Sequence, residues 1–251
     1  MRILTLLFTL LFSGVLWAQS RPPVRVGVVT YGGMVHGLLG DADPDIEKHF
    51  GYGVGVGVFL ERKVGDGWYL QLEAATQQRK FIFSNTGNNL EYNYTAELYY
   101  NTKRARVDFR DYRVYARLKF QNIFSVGGYF AWFWKAERRG EQNLRVVYPD
   151  DPSQNEIIED PDLRYSFLDK RQFPSDKFGN RPIQNDYGVT LGLESPSFDN
   201  LVFSFGYDLS LGNIFNSNYW RNSPTDNTDF YPSTDVRFRL GYLYARVGWR
   251  F

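Results

Sequence analysis

Few residues in this sequence have the chemistry for catalysis or metal binding. His36 and His49 are the two histidines, and the chain has no cysteine, which excludes disulfides and thiolate metal sites. His36 with Asp41, Asp43 or Asp45 offers a His–Asp pair for proton transfer, although solvated turn acids are the simpler interpretation. The sequence has neither a Gly-x-Ser-x-Gly nor a His-Glu-x-x-His motif. We therefore predict no catalytic residues, no metal site and no cofactor, and a protein that is not an enzyme.

An acidic stretch within residues 136–186 is a second chemical candidate. Its acids are Asp150, Asp151, Glu156, Glu159, Asp160 and Asp162. Carboxylates of this kind suit calcium, but the stretch lacks the spacing of an EF-hand loop. A solvated loop that touches lipopolysaccharide or a partner protein is the interpretation that we favour.

The most regular charges stand at every second position of otherwise apolar segments. Arg113, Arg117 and Lys119, for example, alternate with Val114 and Leu118. Successive side chains of a β-strand point to opposite faces, so each such segment has one polar and one apolar face. The charged positions form either an internal ion-pair network or the lining of an ion path. They are Glu61, Glu73, Arg113, Arg117, Lys119, Glu194, Asp208, Arg246 and Arg250, and Arg79 falls on the same inward face as Glu73.

Alternation of period two recurs along the chain and predicts the strands that hold these charges. The glycines of residues 51–57 fit the same pattern, because Val56 stands where a dinucleotide-binding loop needs its last glycine. Eight strands are predicted, with ten as the alternative. The eight cover residues 24–31, 51–61, 68–77, 112–120, 126–134, 187–194, 201–211 and 242–251.

The connections between these strands alternate in length. Short turns are predicted at residues 63–67, 121–124 and 195–200, and long polar stretches at 32–50, 80–111, 136–186 and 213–235. This asymmetry is typical of an antiparallel transmembrane β-barrel with short periplasmic turns and long extracellular loops. A soluble β-sandwich, the alternative, gives no reason for such sorting.

Aromatic residues lie at both ends of the predicted strands. The loop pattern places Trp68, Phe120, Trp249 and Phe251 at the periplasmic end and Trp132 and Trp134 near the outer end. Tryptophan and tyrosine are enriched at both membrane–water interfaces. We therefore predict that these residues form two interfacial bands.

The N-terminus predicts export. Arg2 precedes an apolar run over residues 3–17 that ends in Ala18-Gln19-Ser20, which is typical of a signal peptide. A retained N-terminal anchor is the alternative. We predict a signal peptide over residues 1–18, an outer-membrane β-barrel over 19–251 and location in the outer membrane. With 29 basic and 28 acidic residues, the charge balance predicts no nucleic-acid partner.

Two segments carry a resemblance to known proteins. Residues 50–60 (FGYGVGVGVFL) and 69–74 (YLQLEA) resemble the PorT-like outer-membrane β-barrel family of the Bacteroidota. The aromatic last strand, which ends in Phe251, resembles the signal that barrel-assembly machinery recognises. The resemblance implies this machinery as a partner during insertion. It also implies an accessory role with subunits of a type IX-like secretion system, to which the family's namesake belongs.

Two classes of function follow. The first is a structural or partner-binding barrel that contacts outer-membrane lipid, lipopolysaccharide and possible secretion subunits. The second is a small porin-like channel with a lumen lined by arginine and glutamate. Since an eight-stranded barrel is only wide enough for side chains to fill it, and buried charges must be paired, we favour the first.

Overall fold

A computed structural model describes residues 24–40, 46–93, 96–148, 152–168, 183–195, 200–215 and 237–251 of the chain. Nine strands account for most of them, together with a short 3-10 helix at Pro152–Gln154. None of the residues in these ranges forms a helix long and apolar enough to cross a bilayer. The strands are β1 Val24–Gly40, β2 Ile46–Gly65, β3 Trp68–Asn93, β4 Ala96–Phe120, β5 Phe124–Val147, β6 Glu156–Ser166, β7 Asp186–Glu194, β8 Leu201–Ser210 and β9 Arg237–Arg250.

Eight of the strands close into a ring. Sequential antiparallel pairs run from β1 to β5, β7 and β8 follow, and β9 returns to pair with β1. The ninth strand, β6, lies outside the ring and pairs with the outer half of β5. The first eight residues of β5 pair with β7. The predicted all-β antiparallel barrel of eight strands is therefore confirmed.

The tight turns lie where the sequence predicts them. Gly67, with φ of 75°, ends the connection between β2 and β3, and Gln121 and Asn122 connect β4 to β5 with φ of 52° and 58°. Two successive left-handed residues are typical of the hairpin turns that match strand twist. These turns define the end of the barrel that we call periplasmic.

The outer segments differ from the prediction. The stretches 32–50, 80–111 and 136–186 were expected to be loops, but β3, β4 and β5 have 26, 25 and 24 residues and run far into them. A strand that crosses a membrane needs only about 9–11 residues. The barrel wall formed by β3 to β6 therefore projects well beyond the membrane, whereas β7 and β8 are short. The sequence did not predict these strand extensions because the polar side chains, which point into the barrel nearer the periplasmic end, point outward there.

Strand β4 shows this change. Its inward side chains are Lys119, Arg117, Tyr115, Arg113 and Asp111, followed by the buried Phe109 and Val107. Its outward side chains are Phe120, Leu118, Ala116, Val114 and Tyr112, followed by Arg110, Asp108 and Arg106. The polar face thus changes from the inside to the outside of the barrel between Arg110 and Asp111, as expected where the wall leaves lipid for water.

Candidate functional site

The periplasmic part of the lumen is filled by charged side chains that we call the lower cluster. Lys119 Nζ lies 2.6 Å from Glu61 Oε2 and 2.7 Å from Glu194 Oε2. Arg250 pairs with Glu194 and lies 3.6 Å from Glu61 Oε2. The ion pairs therefore join β2, β4, β7 and β9 across the barrel. The cluster comprises Glu61, Glu73, Arg117, Lys119, Glu194, Arg246 and Arg250, all buried.

Glu73 is the second centre of the lower cluster. Its Oε2 accepts a hydrogen bond of 2.6 Å from Arg117 Nη1 and lies 3.2 Å from Arg246 Nη2. Gln71 Nε2 donates a further hydrogen bond of 2.9 Å to the same oxygen. Since β3 lies next to β4 but far from β9 in the ring, this carboxylate ties opposite walls together.

Nearer the outer end lies the upper cluster, formed by Arg79, Asp111, Arg113, Asp186 and Asp208, all buried. Arg79 Nη2 lies 2.7 Å from Asp111 Oδ2, and Arg113 Nη1 lies 2.8 Å from Asp208 Oδ2. Asp186 Oδ2 is shared, at 3.2 Å from Arg79 Nη2 and 3.3 Å from Arg113 Nη2. Two guanidinium groups thus hold three carboxylates together.

Tyr115 connects the two clusters. Its hydroxyl donates to Asp208 Oδ2 at 2.8 Å and accepts from Gln77 Nε2 at 2.8 Å. The Arg117 guanidinium of the lower cluster lies over its ring, 3.9 Å from the centroid. This stacking is a cation–π interaction, which is strongest where water is excluded. A Cβ atom on Gly206 would lie 2.4 Å from the ring of Tyr244, so glycine is needed there to accommodate this tyrosine-filled level of the lumen.

The charges of the two clusters balance only when the clusters are taken together. The lower cluster has four cations and three carboxylates, and the upper cluster has two cations and three carboxylates. Arg25, at the periplasmic rim, adds a half-exposed contact of 3.6 Å to Glu61. Removing one partner of a buried ion pair typically costs about 3–5 kcal/mol, because the other charge stays desolvated. The arrangement therefore couples the barrel walls through charge.

An apolar plug closes the outer mouth of the barrel. Segments beyond β6, before β7 and after β8 fold inward, with Ile214 N donating to Phe238 O at 3.0 Å and Phe167 N donating to Ala136 O at 2.9 Å. A β-bridge joins Ile183 to Phe215. The plug consists of Phe81, Phe109, Phe167, Ile183, Ile214, Phe215, Phe238 and Leu240, all buried.

Among the described residues, each histidine contacts one hydroxyl group. His36 Nε2 is 3.0 Å from the Tyr207 hydroxyl, and the two rings stack at 5.7 Å. His49 Nε2 is 2.9 Å from Ser84 Oγ. The acids considered for His36 (Asp41, Asp43 and Asp45) lie outside the described residues. Among the residues that the structure describes, no group of three or more His, Cys, Asp or Glu side chains is arranged to hold a metal ion.

The structure places all nine charged residues predicted for the lumen inside the barrel and joins them by ion pairs. That this network is structural stays a prediction. The predicted interfacial aromatics are exposed on the outer wall: Trp68, Phe120, Trp249 and Phe251 at the periplasmic end, Trp132 and Trp134 near the outer end. Their role as membrane anchors also stays a prediction. The acidic stretch of residues 150–162 falls partly in β6 and partly outside the described residues.

Sequence reasoning missed two members of the upper cluster. Asp111 and Asp186 were assigned to the ends of long loops, but both begin or extend strands and point inward. A signal was available, since Asp111 stands two positions before Arg113 and Asp186 two positions before Gly188 on the same faces. The plug residues of β3 and β4, Phe81 and Phe109, also lie on the inward faces of their strands, nearer the outer end of the barrel.

Comparisons with known proteins agree with a membrane barrel. The profile of a family described as outer membrane protein beta-barrel domain matches residues 17–216, well over half of the chain. No protein in a search of curated sequences matches this one.

Three solved structures are similar to the chain. Ail of Yersinia pestis, solved with the heparin analogue sucrose octasulfate, aligns with a TM-score of 0.34 at 10% identity, over 90% of this chain and 99% of Ail. Neisserial surface protein A gives 0.32 at 12% identity, over 91% and 97%. OprG from Pseudomonas aeruginosa gives 0.30 at 13% identity, over 90% and 95%.

The family match and the closed antiparallel ring with a polar inside and an apolar outside lead to one assignment. The chain belongs to the family of outer membrane protein beta-barrel domains, and it is a β-barrel protein of the outer membrane.

Proposed function

We propose that this protein is a closed, non-conducting barrel of structural or partner-binding type, without catalytic activity. The observation that carries the proposal is that, among the described residues, the lower cluster, the upper cluster and the apolar plug occupy successive levels of the lumen. An ion that entered would have to displace the paired side chains, which leaves charges buried and unpaired. The lumen charges then hold the wall in shape.

Single-channel recording with the purified full chain in planar bilayers tests this proposal. We expect the wild-type protein to give no conductance steps. The matched control replaces a plug residue and a charge, Phe109→Ala with Arg113→Ser, and is expected to leak because both levels lose their filling side chains. Reproducible steps from the wild-type protein would overturn the proposal and favour the porin-like channel with an Arg/Glu-lined lumen.

The projecting wall of β3 to β6 supports the partner-binding form of the proposal. Three strands of 24 to 26 residues are much longer than membrane crossing requires, so they present a large surface outside the membrane. Together with the resemblance of residues 50–80 to the PorT-like family, this surface supports an accessory role in a type IX-like secretion apparatus.

Affinity purification from outer membranes in mild detergent, followed by mass spectrometry, tests for such partners. Recovery with secretion subunits is the expected result for an accessory component, and recovery alone would leave a self-contained structural barrel. The control is a chain with the tip of the β3–β4 hairpin shortened to residues 84 and 106, which keeps the membrane-spanning part. Equal recovery of partners with this variant would show that the projecting wall is not the binding surface.

Export and assembly form part of the same proposal. We infer that residues 1–18 are removed, so the mature chain begins at Gln19, which intact-mass measurement of the protein from outer membranes can test. We also infer that the last strand is recognised by the barrel-assembly machinery. Deleting Phe251, which is exposed at the end of β9, is then expected to slow insertion without changing the fold of inserted molecules.

A further inference from the structure

The outward face of the projecting wall carries an excess of positive charge, and we call it the basic face. Among the side chains that the structure describes, its cations lie on four neighbouring strands and outnumber its acids by six to two. The cations are Lys80, Arg106, Arg110, Lys135, Arg139 and Arg164, and the acids are Asp108 and Glu137.

The strand register places like charges directly opposite one another. Arg110 faces Lys135 across β4 and β5, and Gln78 on β3 offers no acid to either. Two rows farther out, beyond a row in which Asp108 faces Lys80 and Glu137, Arg106 faces Arg139, which in turn faces Arg164 of β6. Like charges opposite each other in adjacent strands destabilise a sheet. A ligand with negative charge would remove this cost.

The two acids of the basic face cannot neutralise these rows. Glu137 already lies within 2.9 Å of Lys135, 3.2 Å of Arg139 and 3.5 Å of Arg164. Asp108 accepts two hydrogen bonds from Gln78 and comes no closer than 4.0 Å to Arg110. The Nε atoms of Arg106 and Arg110 are buried and have no hydrogen-bond partner. Because these Nε atoms are buried, an anion would meet the terminal Nη atoms of the half-exposed Arg106 and Arg110 side chains.

The depth of the basic face suggests which anion it meets. Lys80 Nζ lies over the Tyr52 ring at 4.7 Å, and the Arg110 guanidinium lies over the Trp134 ring at 5.6 Å. Exposed tyrosine and tryptophan rings mark the membrane interface, so these cations lie at the level of the lipid head groups. Phosphate is the group that arginine and lysine recognise best at such a site.

The opposite wall differs at the same level. There the outward side chains of β1, β2 and β8 are His36, Phe50 and Tyr207, which pack against one another as rings, and Arg239 is the cation that the structure describes nearby. Among the described side chains, the positive charge at this level is therefore concentrated on one side of the barrel.

We propose that the basic face binds the phosphate groups of lipopolysaccharide, through its lipid A part, in the outer leaflet. Arg110 and Lys135 contact a phosphate just above the aromatic band, and Arg106, Arg139 and Arg164 contact a second anionic group farther out. The inference rests on the location in the outer membrane and not on the filling of the lumen. It goes beyond the proposed function, and either can fail without the other.

Binding of bisphosphorylated lipid A to the purified full chain in neutral detergent micelles, followed by native mass spectrometry, tests the proposal. We expect the double variant Arg110→Gln/Lys135→Gln to bind about tenfold more weakly than wild type, because two charge-assisted contacts are lost. The matched control, Arg62→Gln/Lys63→Gln, removes two cations at the periplasmic end and is expected to bind as wild type does. Glu137→Gln, which removes an acid from the basic face, is expected to bind more tightly.

Three results would overturn the proposal. The first is equal binding by wild type and the Arg110→Gln/Lys135→Gln variant when circular dichroism shows both to be folded. The second is equal wild-type affinity for lipid A and for its dephosphorylated form. The third is full competition by millimolar inorganic phosphate, which would identify a site for free phosphate and not for the lipid. The same variants are also recorded in planar bilayers, where we expect no conductance. Conductance would contradict the proposed function, whereas the three results above would overturn only the binding of lipid A.

Discussion

The two halves of strand β4 obey opposite rules. In the half next to the periplasmic turn, lysine, arginine and aspartate point into the barrel and aliphatic residues point out. In the outer half, Phe109 and Val107 point in, while Arg110, Asp108 and Arg106 point out. The strand is continuous, and over residues 106–120 inward and outward side chains alternate without interruption. What changes is the solvent around it.

This difference shows how one wall satisfies two surroundings. Lipid requires an apolar exterior, so polar residues are placed inside and must pair with one another. Beyond the membrane, water accepts the charges, and the interior can be filled by an ordinary hydrophobic core. The outer mouth is consequently closed by packing, and the membrane-level lumen by ion pairs. Substitutions on the two halves should therefore differ in their cost.

The largest effect is expected from a buried charge of the inner half. Arg113→Met removes the cation that pairs with Asp208 and leaves Asp111 and Asp186 to share Arg79, and we expect the free energy of unfolding to fall by about 3–5 kcal/mol. Urea unfolding in lipid vesicles measures this change. Arg139→Met on the basic face is the control, and it should change stability by less than about 1 kcal/mol. Equal effects of the two substitutions would contradict the comparison.

A packing change in the outer half should cost somewhat less. Phe109 is fully buried in the plug, and Phe109→Ala is expected to lower the free energy of unfolding by about 3 kcal/mol because a cavity remains. The same unfolding measurement applies, and Phe109→Leu serves as the control because it keeps most of the apolar volume. A loss as small for alanine as for leucine would show that the plug is not a packed core.

A lysine moved along the outward face of β4 distinguishes lipid from water directly. Ala116→Lys puts a charge near the middle of the apolar wall, where we expect a cost of about 2 kcal/mol. Arg106→Lys, on the same face of the same strand, keeps a cation in the outer half and is expected to change stability by less than about 0.5 kcal/mol. If the two variants were equally stable in vesicles, the change of surroundings between Arg110 and Asp111 would be misplaced.

The smallest effect concerns the ion pairs of the outer surface. Burial of Glu137 opposes its ionisation, but hydrogen bonds from Lys135 and Arg139 and the charge of Arg164 outweigh it and hold the pKa of Glu137 below its ordinary value. A lowered pKa in the folded state adds stability above the unfolded pKa, and this contribution is lost as the pH falls through the folded pKa. Glu137→Gln should therefore cost less than about 1 kcal/mol at pH 7.

Unfolding of wild type and Glu137→Gln, compared at pH 7 and again well below the ordinary pKa of glutamate, checks this sign. The difference in stability between the two proteins should shrink toward zero in acid. A difference that grew in acid would mean that the pKa of Glu137 is raised in the folded state.

Much of the barrel could be predicted from local pattern. The turn at residues 121–124, the hairpin around Gly67 and the inward face of residues 113–119 all follow from alternation and turn chemistry. The strand ends could not be predicted as well, because residues 106–110, for example, keep the period of two but carry their polar side chains on the outward face. A prediction that expects an apolar outward face along the whole strand interprets such a segment as a polar loop.

The sequence by itself determined which side chains point inward in the part of each strand nearest the periplasmic turns, since odd and even positions alternate there. It could not locate the irregularity in β5, where the outward face passes from even positions (Trp132, Trp134) to odd positions (Lys135, Glu137). Only the tertiary structure decided which inward side chains meet. Arg113 and Asp208 are 95 positions apart, and Arg117 and Glu73 are 44 apart. Their contact depends on how far each strand is displaced along its neighbour when the sheet closes. The plug and the basic face likewise consist of residues from several strands. These residues lie at the same height along the barrel only after the ring has closed.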